Sequence, residues 1–161
     1  MVHLEPMTET QFQSYLDTAV EDYAQAHLKS GDCAPEDALR LAQKDYHELL
    51  PNGLQSKNHF LFSIHDDAPG TNEIIGMVWF AVKAERVVRS AFIYDLSICE
   101  NLRRKGYGRK VMERVENLVQ EMGIDAVGLH VFGHNHAART LYEKMGYQIT
   151  GIGMTKSLGK R

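Results

Sequence analysis

Cysteine is scarce in this chain: Cys33 and Cys99 are the only two among 161 residues. That scarcity excludes a disulfide-built scaffold and suits a reduced, cytoplasmic protein. No apolar run approaches the roughly 18 residues of a membrane span, so no membrane partner is expected. The opening stretch, MVHLEPMTETQFQSYL, has neither a basic n-region nor an apolar h-region, so no secretory signal is expected. Proline occurs only four times, and no linker, repeat or low-complexity tract interrupts the chain. A single domain over residues 1–161 is the expectation, long enough to bury a core without metal or disulfide staples.

An excess of cations is also missing. Lys and Arg total 18 against 21 Asp and Glu, for a net charge of -3. That balance, with no broad basic face carrying interleaved aromatics, argues against a nucleic-acid partner. The small net charge hides an uneven distribution. Residues 1–75 carry 13 acids and 4 bases, whereas residues 76–161 carry 8 acids and 14 bases. Five of those bases fall within eight residues, Arg103 to Lys110. Such a split suits an anion on one side and a cation on the other, although two merely solvated surfaces would look the same.

Periodicity supplies the elements. Thr8 is placed to cap a helix whose apolar positions, Phe12, Tyr15, Leu16, Ala19, Val20 and Tyr23, recur at spacings of three and four up to about Leu28. Pro35 with Glu36 and Asp37 opens a second helix, ended by Pro51-Asn52-Gly53. Strands are expected at His59–Ile64, Glu73–Val82, Ala91–Cys99, Ala126–Phe132 and Tyr147–Leu158, the last loosened by Gly151 and Gly153. Helical spacing returns from Gly108 to Gly123 and from Asn135 to Met145. Helices and strands in this order make an α/β domain with a mixed sheet.

The junction after the third of these strands carries the clearest chemistry. Arg103-Arg104-Lys105-Gly106-Tyr107-Gly108 links a strand to a helix N-terminus. Glycines let the backbone approach a ligand, and the free N–H groups with the helix dipole favour a phosphate or pyrophosphate. The run is neither a Walker A loop nor the dinucleotide fingerprint GxGxxG, because Val111 stands where the third glycine belongs.

Arg103-x-x-Gly106-x-Gly108 resembles the R/Q-x-x-G-x-G/A loop of the GNAT N-acetyltransferase superfamily. Asn135 to Tyr147, NHAARTLYEKMGY, is similar to that family's second signature, N-x-x-A-x-x-L-Y-x-x-x-G-F/Y, with Asn135, Ala138, Leu141, Tyr142, Gly146 and Tyr147 in place. The resemblance covers residues 74–158, an acetyl-CoA-binding core, and leaves residues 1–58 as the family's variable, helical acceptor side. It implies an α+β fold with a mostly antiparallel sheet flanked by helices. The implied activity is transfer of an acetyl group from acetyl-CoA to a primary amine by direct attack in a ternary complex. A non-catalytic acyl-CoA sensor on the same fold is the alternative. A homodimer is common in the family.

The resemblance also implies site residues. Leu96, Ser97 and Ile98 would bond the pantetheine arm along their strand, with the Ile98 N–H polarising the thioester carbonyl. Arg103, Arg104, Lys105, Gly106, Tyr107 and Gly108, assisted by Arg109, would hold the pyrophosphate. Asn135 and Ala138, from the second signature, would meet the cofactor arm. Tyr142 matches the tyrosine that protonates the departing thiolate, a step its ordinary pKa of about 10 permits; simple packing is the other use of that ring. The amine must lose a proton before attack. Asp95, a carboxylate in an apolar strand, is the candidate base, with a structural carboxylate as the alternative and Glu100 in reserve. No metal is expected: His130, His134 and His136 lack a completing cysteine or carboxylate, and one of them contacting substrate is the better reading. Cys99 near the thioester could be acetylated or inert. Trp79 and Phe80 read as core. The acceptor's identity lies outside the motifs, and the acidic N-terminal half is the one hint toward a cation.

Overall fold

In the computed structural model, which describes residues 1–70, 72–84 and 87–159, the first strand β1 (Val2–Pro6) leads into α1 (Glu9–Ser30) through a capping box. The Gln11 N–H donates to Thr8 Oγ1 at 3.3 Å, and the Thr8 N–H donates to Gln11 Oε1 at 2.8 Å. Two otherwise orphaned donors are thereby satisfied. Gly31, at φ 76°, ends α1 in the left-handed conformation that glycine adopts without strain. The second helix, α2 (Ala38–Leu49), starts later than its proline suggests, because Pro35, Glu36 and Asp37 form a turn ahead of it.

Strands β2 (His59–Asp66), β3 (Ile74–Lys83) and β4 (Ser90–Ile98) follow, then α3 (Tyr107–Glu121), β5 (Ala126–Leu129) and α4 (His136–Lys144). The sheet runs β1-β2-β3-β4-β5, antiparallel except for the parallel β4–β5 pair. One face packs on α3, where Val111, Met112, Val115 and Val119 meet Val78, Phe80, Ala91 and Ile93. The other face packs on α1 and α2, where Phe12, Ala19 and Tyr46 meet Leu61, Met77 and Trp79. Each of these larger apolar side chains contributes about 1.5–3 kcal/mol by leaving water. Trp79 and Phe80 are core residues, as expected. No helix among the described residues is long and apolar enough to cross a membrane.

Two expectations are corrected. Strand β5 stops at Leu129 rather than Phe132, and residues Tyr147 to Leu158 form no strand. Pairing of β5 with β4 covers only four residues, so the sheet edge offers little ladder for another strand. Gly151 and Gly153 weaken strand formation further, and Ile149, Ile152, Met154 and Leu158 stay exposed.

Gly76 fixes how close β3 and β4 come. A Cβ there would lie 2.1 Å from the Ser97 carbonyl oxygen and 3.1 Å from the Ile98 Cα. Gly76→Ala is therefore expected to push the end of β4 outward. The expected cost is about 1–3 kcal/mol of stability, read as a lowered denaturant midpoint at unchanged m-value.

Candidate active site

The site follows from two breaks in the sheet. First, β4 outruns β5: pairing with β5 ends at Ile93–Leu129, whereas pairing with β3 continues to Ile98. One edge of Tyr94–Ile98 is thus left open. Along that edge the groups alternate. The Cys99 N–H donates to the Ile75 carbonyl at 2.8 Å, which turns the backbone groups of Cys99, Ser97 and Asp95 toward β3. Those of Leu96 and Ile98 therefore face the open side.

Second, the β3–β4 register shifts between Trp79 and Phe80. Trp79 opposes Asp95 and Phe80 opposes Ile93, leaving Tyr94 as the extra residue of a β-bulge. Ala91 and Ile93 point toward α3, and plain alternation would send Asp95 the same way. The bulge turns it to the opposite face, beside Trp79 and the lid helix α1. There the Tyr15 hydroxyl donates to Asp95 Oδ2 at 2.7 Å, and the Tyr46 hydroxyl lies 3.3 Å from that of Tyr15.

Desolvation raises the Asp95 pKa above the ordinary carboxylate value. The Tyr15 hydrogen bond and the Leu96 N–H oppose the rise, and the charge of Asp22 adds to it. Leu96 and Ile98 carry the outward N–H groups of this edge. Tyr142 has its pKa raised by burial and then by the charge of Asp95, so its phenol stays protonated at neutral pH.

A cleft of about 610 Å³ is lined by Asp95, Leu96, Ser97, Asn135, Ala138 and Tyr142, and Ile98 lies one residue past its lining on β4. Asn135 Oδ1 accepts the Ala138 N–H at 3.2 Å, so its side-chain carbonyl caps α4. The lid side adds residues that the sequence reading counted as helix packing or did not single out. Tyr15, Tyr23 and Tyr46 line the cleft with Trp79, and Asp22, Asp32 and Asp45 join them. Their rings form a chain: Tyr23 to Tyr46 at 5.6 Å, Tyr46 to Trp79 at 5.6 Å and Trp79 to Tyr94 at 4.6 Å. Burial raises the Tyr23 pKa, and the charges of Asp45 and Asp32 raise it further. Asp22 and Asp32 belong to the acidic N-terminal half that hints at a cation. Tyr15 and Tyr23, recurring on the apolar stripe of α1, are the sequence signal for the aromatic lining on that helix.

Beyond Ile98 the chain enters the basic loop. Arg104 at φ 62° and Gly106 at φ 83° both adopt left-handed backbone, and Gly106 begins α3 with no side-chain cap. The first N–H groups of α3 thus lie at a concave, positive helix start able to take an anion. Arg103, Arg104 and Lys105 are exposed around it. Arg103 has a second contact: its Nε donates to the Ile98 carbonyl at 3.0 Å, tying the loop to the open strand edge.

Tyr107 and Arg109 each also make a contact within the fold. The Tyr107 hydroxyl donates to Asp66 Oδ2 at 2.6 Å, and the Arg109 guanidinium donates to the Lys144 carbonyl at 3.4 Å at the end of α4. At Gly108 a Cβ would meet Leu141 Cδ2 at 3.2 Å, so the small residue lets α4 close on the first turn of α3.

Glu100 is exposed in the turn after β4. Cys99 is exposed there too, its Sγ 3.9 Å from the Ile74 carbonyl. His130 and His134 pack their rings against Phe132 at 5.1 and 5.5 Å, and His136 opens α4.

Comparison with known proteins agrees with this geometry. The model of the acetyltransferase (GNAT) family matches residues 16–147. The uncharacterized N-acetyltransferase YycN of Bacillus subtilis is 37% identical over 157 residues, 98% of this chain and 99% of that protein. A second B. subtilis protein, the uncharacterized N-acetyltransferase YdgE, is 33% identical over 96% of this chain and 97% of its own length. The crystal structure of YycN superposes with a TM-score of 0.93 over 99% of this chain and all of that one, at 36% identity. The open strand edge, the glycine-bearing helix start and these matches converge on one conclusion: the chain belongs to the GNAT acetyltransferase family, enzymes that take their acetyl group from acetyl-CoA.

Proposed function

We propose that the protein acetylates the primary amine of a small, cationic molecule by direct attack on acetyl-CoA in a ternary complex. The observation that carries this reading is the Tyr94 bulge, which brings a desolvated carboxylate to the same cleft as a protonated phenol, beside a strand edge that runs on open to Ile98. The open edge of Leu96 to Ile98 bonds the pantetheine arm as an added strand. The helix start at Arg103 to Gly108 holds the pyrophosphate. Asn135 and Ala138 border the arm from α4.

Each step then has an agent. Asp95, its pKa raised toward the working range, accepts the ammonium proton and frees the amine lone pair. The Ile98 N–H stabilises the negative charge that develops on the thioester oxygen. Tyr142 gives its proton to the thiolate as the C–S bond breaks, and the second proton shed by the attacking nitrogen restores the Tyr142 phenol. Removing Arg103 takes away a charge-assisted contact, so Arg103→Ala should weaken CoA binding about tenfold. A pantetheine thioester lacking the pyrophosphate should bind both proteins equally by calorimetry. A normal CoA dissociation constant would refute the assignment.

The acceptor class follows from the lid. Three carboxylates and a chain of aromatic faces around one cleft suit an ammonium group, through charge and cation–π attraction. A thiol-release assay comparing diamines with neutral-tailed monoamines of equal length tests this. A kcat/KM advantage of about tenfold or more is expected for the diamine, since each tenfold step needs only ~1.4 kcal/mol. The Asp22→Asn, Asp45→Asn double variant should erase that preference. Equal rates on both amines would remove the cationic class and leave the transfer chemistry standing.

A further inference from the structure

A cluster at the outer edge of the sheet, separate from the acetyl-transfer cleft, has its own chemistry. Strands β1 and β2 pair with His3 opposite His65 and Glu5 opposite Ser63. Residues paired in this way, and residues two apart, share one face of a sheet, so His3, Glu5 and His65 converge. Their imidazole rings stack with centroids 5.0 Å apart and planes 14° from parallel. One carboxylate lies between them: His3 Nε2 is 3.2 Å from Glu5 Oε1, and His65 Nε2 is 3.4 Å from Glu5 Oε2. The far nitrogen of His3, Nδ1, is held by the Asp67 carboxylate.

One feature is unexplained by the protein's own hydrogen bonds. His3 already has a carboxylate at each ring nitrogen, Asp67 at Nδ1 and Glu5 at Nε2. His65 is different. Its side chain is only 6% exposed, yet neither ring nitrogen has a hydrogen-bond partner among the described residues. A buried polar ring is costly when unpaired. A cation among the three side chains would give His65 Nε2 a partner and share the Glu5 carboxylate with His3 Nε2.

We propose that His3 Nε2, His65 Nε2 and the Glu5 carboxylate bind a divalent transition-metal ion of the Zn2+ class, with Asp67 fixing the tautomer and aim of His3. Two imidazoles and a carboxylate are the donor set that borderline metals favour over Mg2+ or Ca2+. A carboxylate behind a metal-binding histidine is the usual means of orienting it. The three ligand atoms lie within 4.8 Å of one another. Modest side-chain rotation brings them to the roughly 3.4 Å that separates ligand atoms on a tetrahedral ion. Glu5 is 53% exposed and His3 35%, which leaves a fourth position open to water. The ion would pin the edge strand β1 to β2, so its consequence is stability of the sheet edge.

The test uses the metal-stripped full chain without an affinity tag. Titrated Co2+ should give the intense visible absorption of a four-coordinate ion, saturating at one equivalent and bleached by Zn2+. Zn2+ at about a hundred times its Kd should raise Tm by about 5–10 °C. Asp67→Asn should weaken binding about 10–100-fold. Glu5→Gln and His3→Ala, both at exposed positions, should abolish the cobalt spectrum even if substitution of buried His65 prevents folding. Absence of both the cobalt band and the Tm shift in the wild type would overturn the proposal. So would binding that survives Glu5→Gln and His3→Ala but is lost on replacing His130, His134 and His136.

Discussion

Asp95→Asn is expected to lower kcat by about 10²–10⁴-fold while leaving Tm unchanged or raised. The two halves of that result have one cause. Desolvation holds the Asp95 pKa above the carboxylate norm in the folded protein. A raised folded-state pKa means that this group's contribution to stability is present below the unfolded carboxylate pKa. It is lost as pH rises through the folded value. At neutral pH the ionised Asp95 therefore costs stability, and the neutral amide removes that cost. Asn also keeps an oxygen able to accept from Tyr15, whose hydroxyl bonds Asp95 at 2.7 Å.

The pH profile separates the roles further. As the base, Asp95 must be ionised, so kcat/KM should fall as pH drops through a limb displaced above the ordinary carboxylate range. In Asp95→Asn that limb should vanish. A variant with near-normal kcat and a lowered Tm would make Asp95 structural and move the base to water or Glu100.

Tyr142→Phe should lower kcat by about 10²–10⁴-fold with the acetyl-CoA dissociation constant little changed. The phenol has no hydrogen-bond partner among the described residues, and its ring packs on the α3-side core near Tyr147 at 5.7 Å. Phe keeps that packing, so a folding defect is not expected. Burial and the Asp95 charge raise the phenol pKa, keeping the proton available until thiolate charge appears beside it. The deficit should shrink with a thioester whose thiol is more acidic, because a better leaving group needs less help. Unchanged kcat would take Tyr142 out of the mechanism.

Sequence-local features of the fold and site were legible. The capping pair Thr8 and Gln11, the apolar stripe Val111, Val115 and Val119, and the glycine-bearing helix start are each set within a few residues. The Tyr94 bulge was not legible, because Ala91, Ile93 and Asp95 alternate like an unbroken strand and only β3 pairing reveals the extra residue. Nor was the Tyr15–Asp95 bond, which joins residues 80 apart. The edge segment Tyr147 to Leu158 misled in the other direction. Its apolar residues suggested a strand, but a strand needs a partner, and β5 pairs over only four residues.

Direct transfer to an amine at this cleft makes thiol release depend on the acceptor. Thiol release from acetyl-CoA, followed with and without a saturating diamine, tests it most directly. Direct transfer predicts negligible release without amine, and release with amine that matches acetylated product mole for mole. Tight CoA binding with no amine-dependent release across a panel of amines would contradict it and identify the protein as an acyl-CoA-binding module.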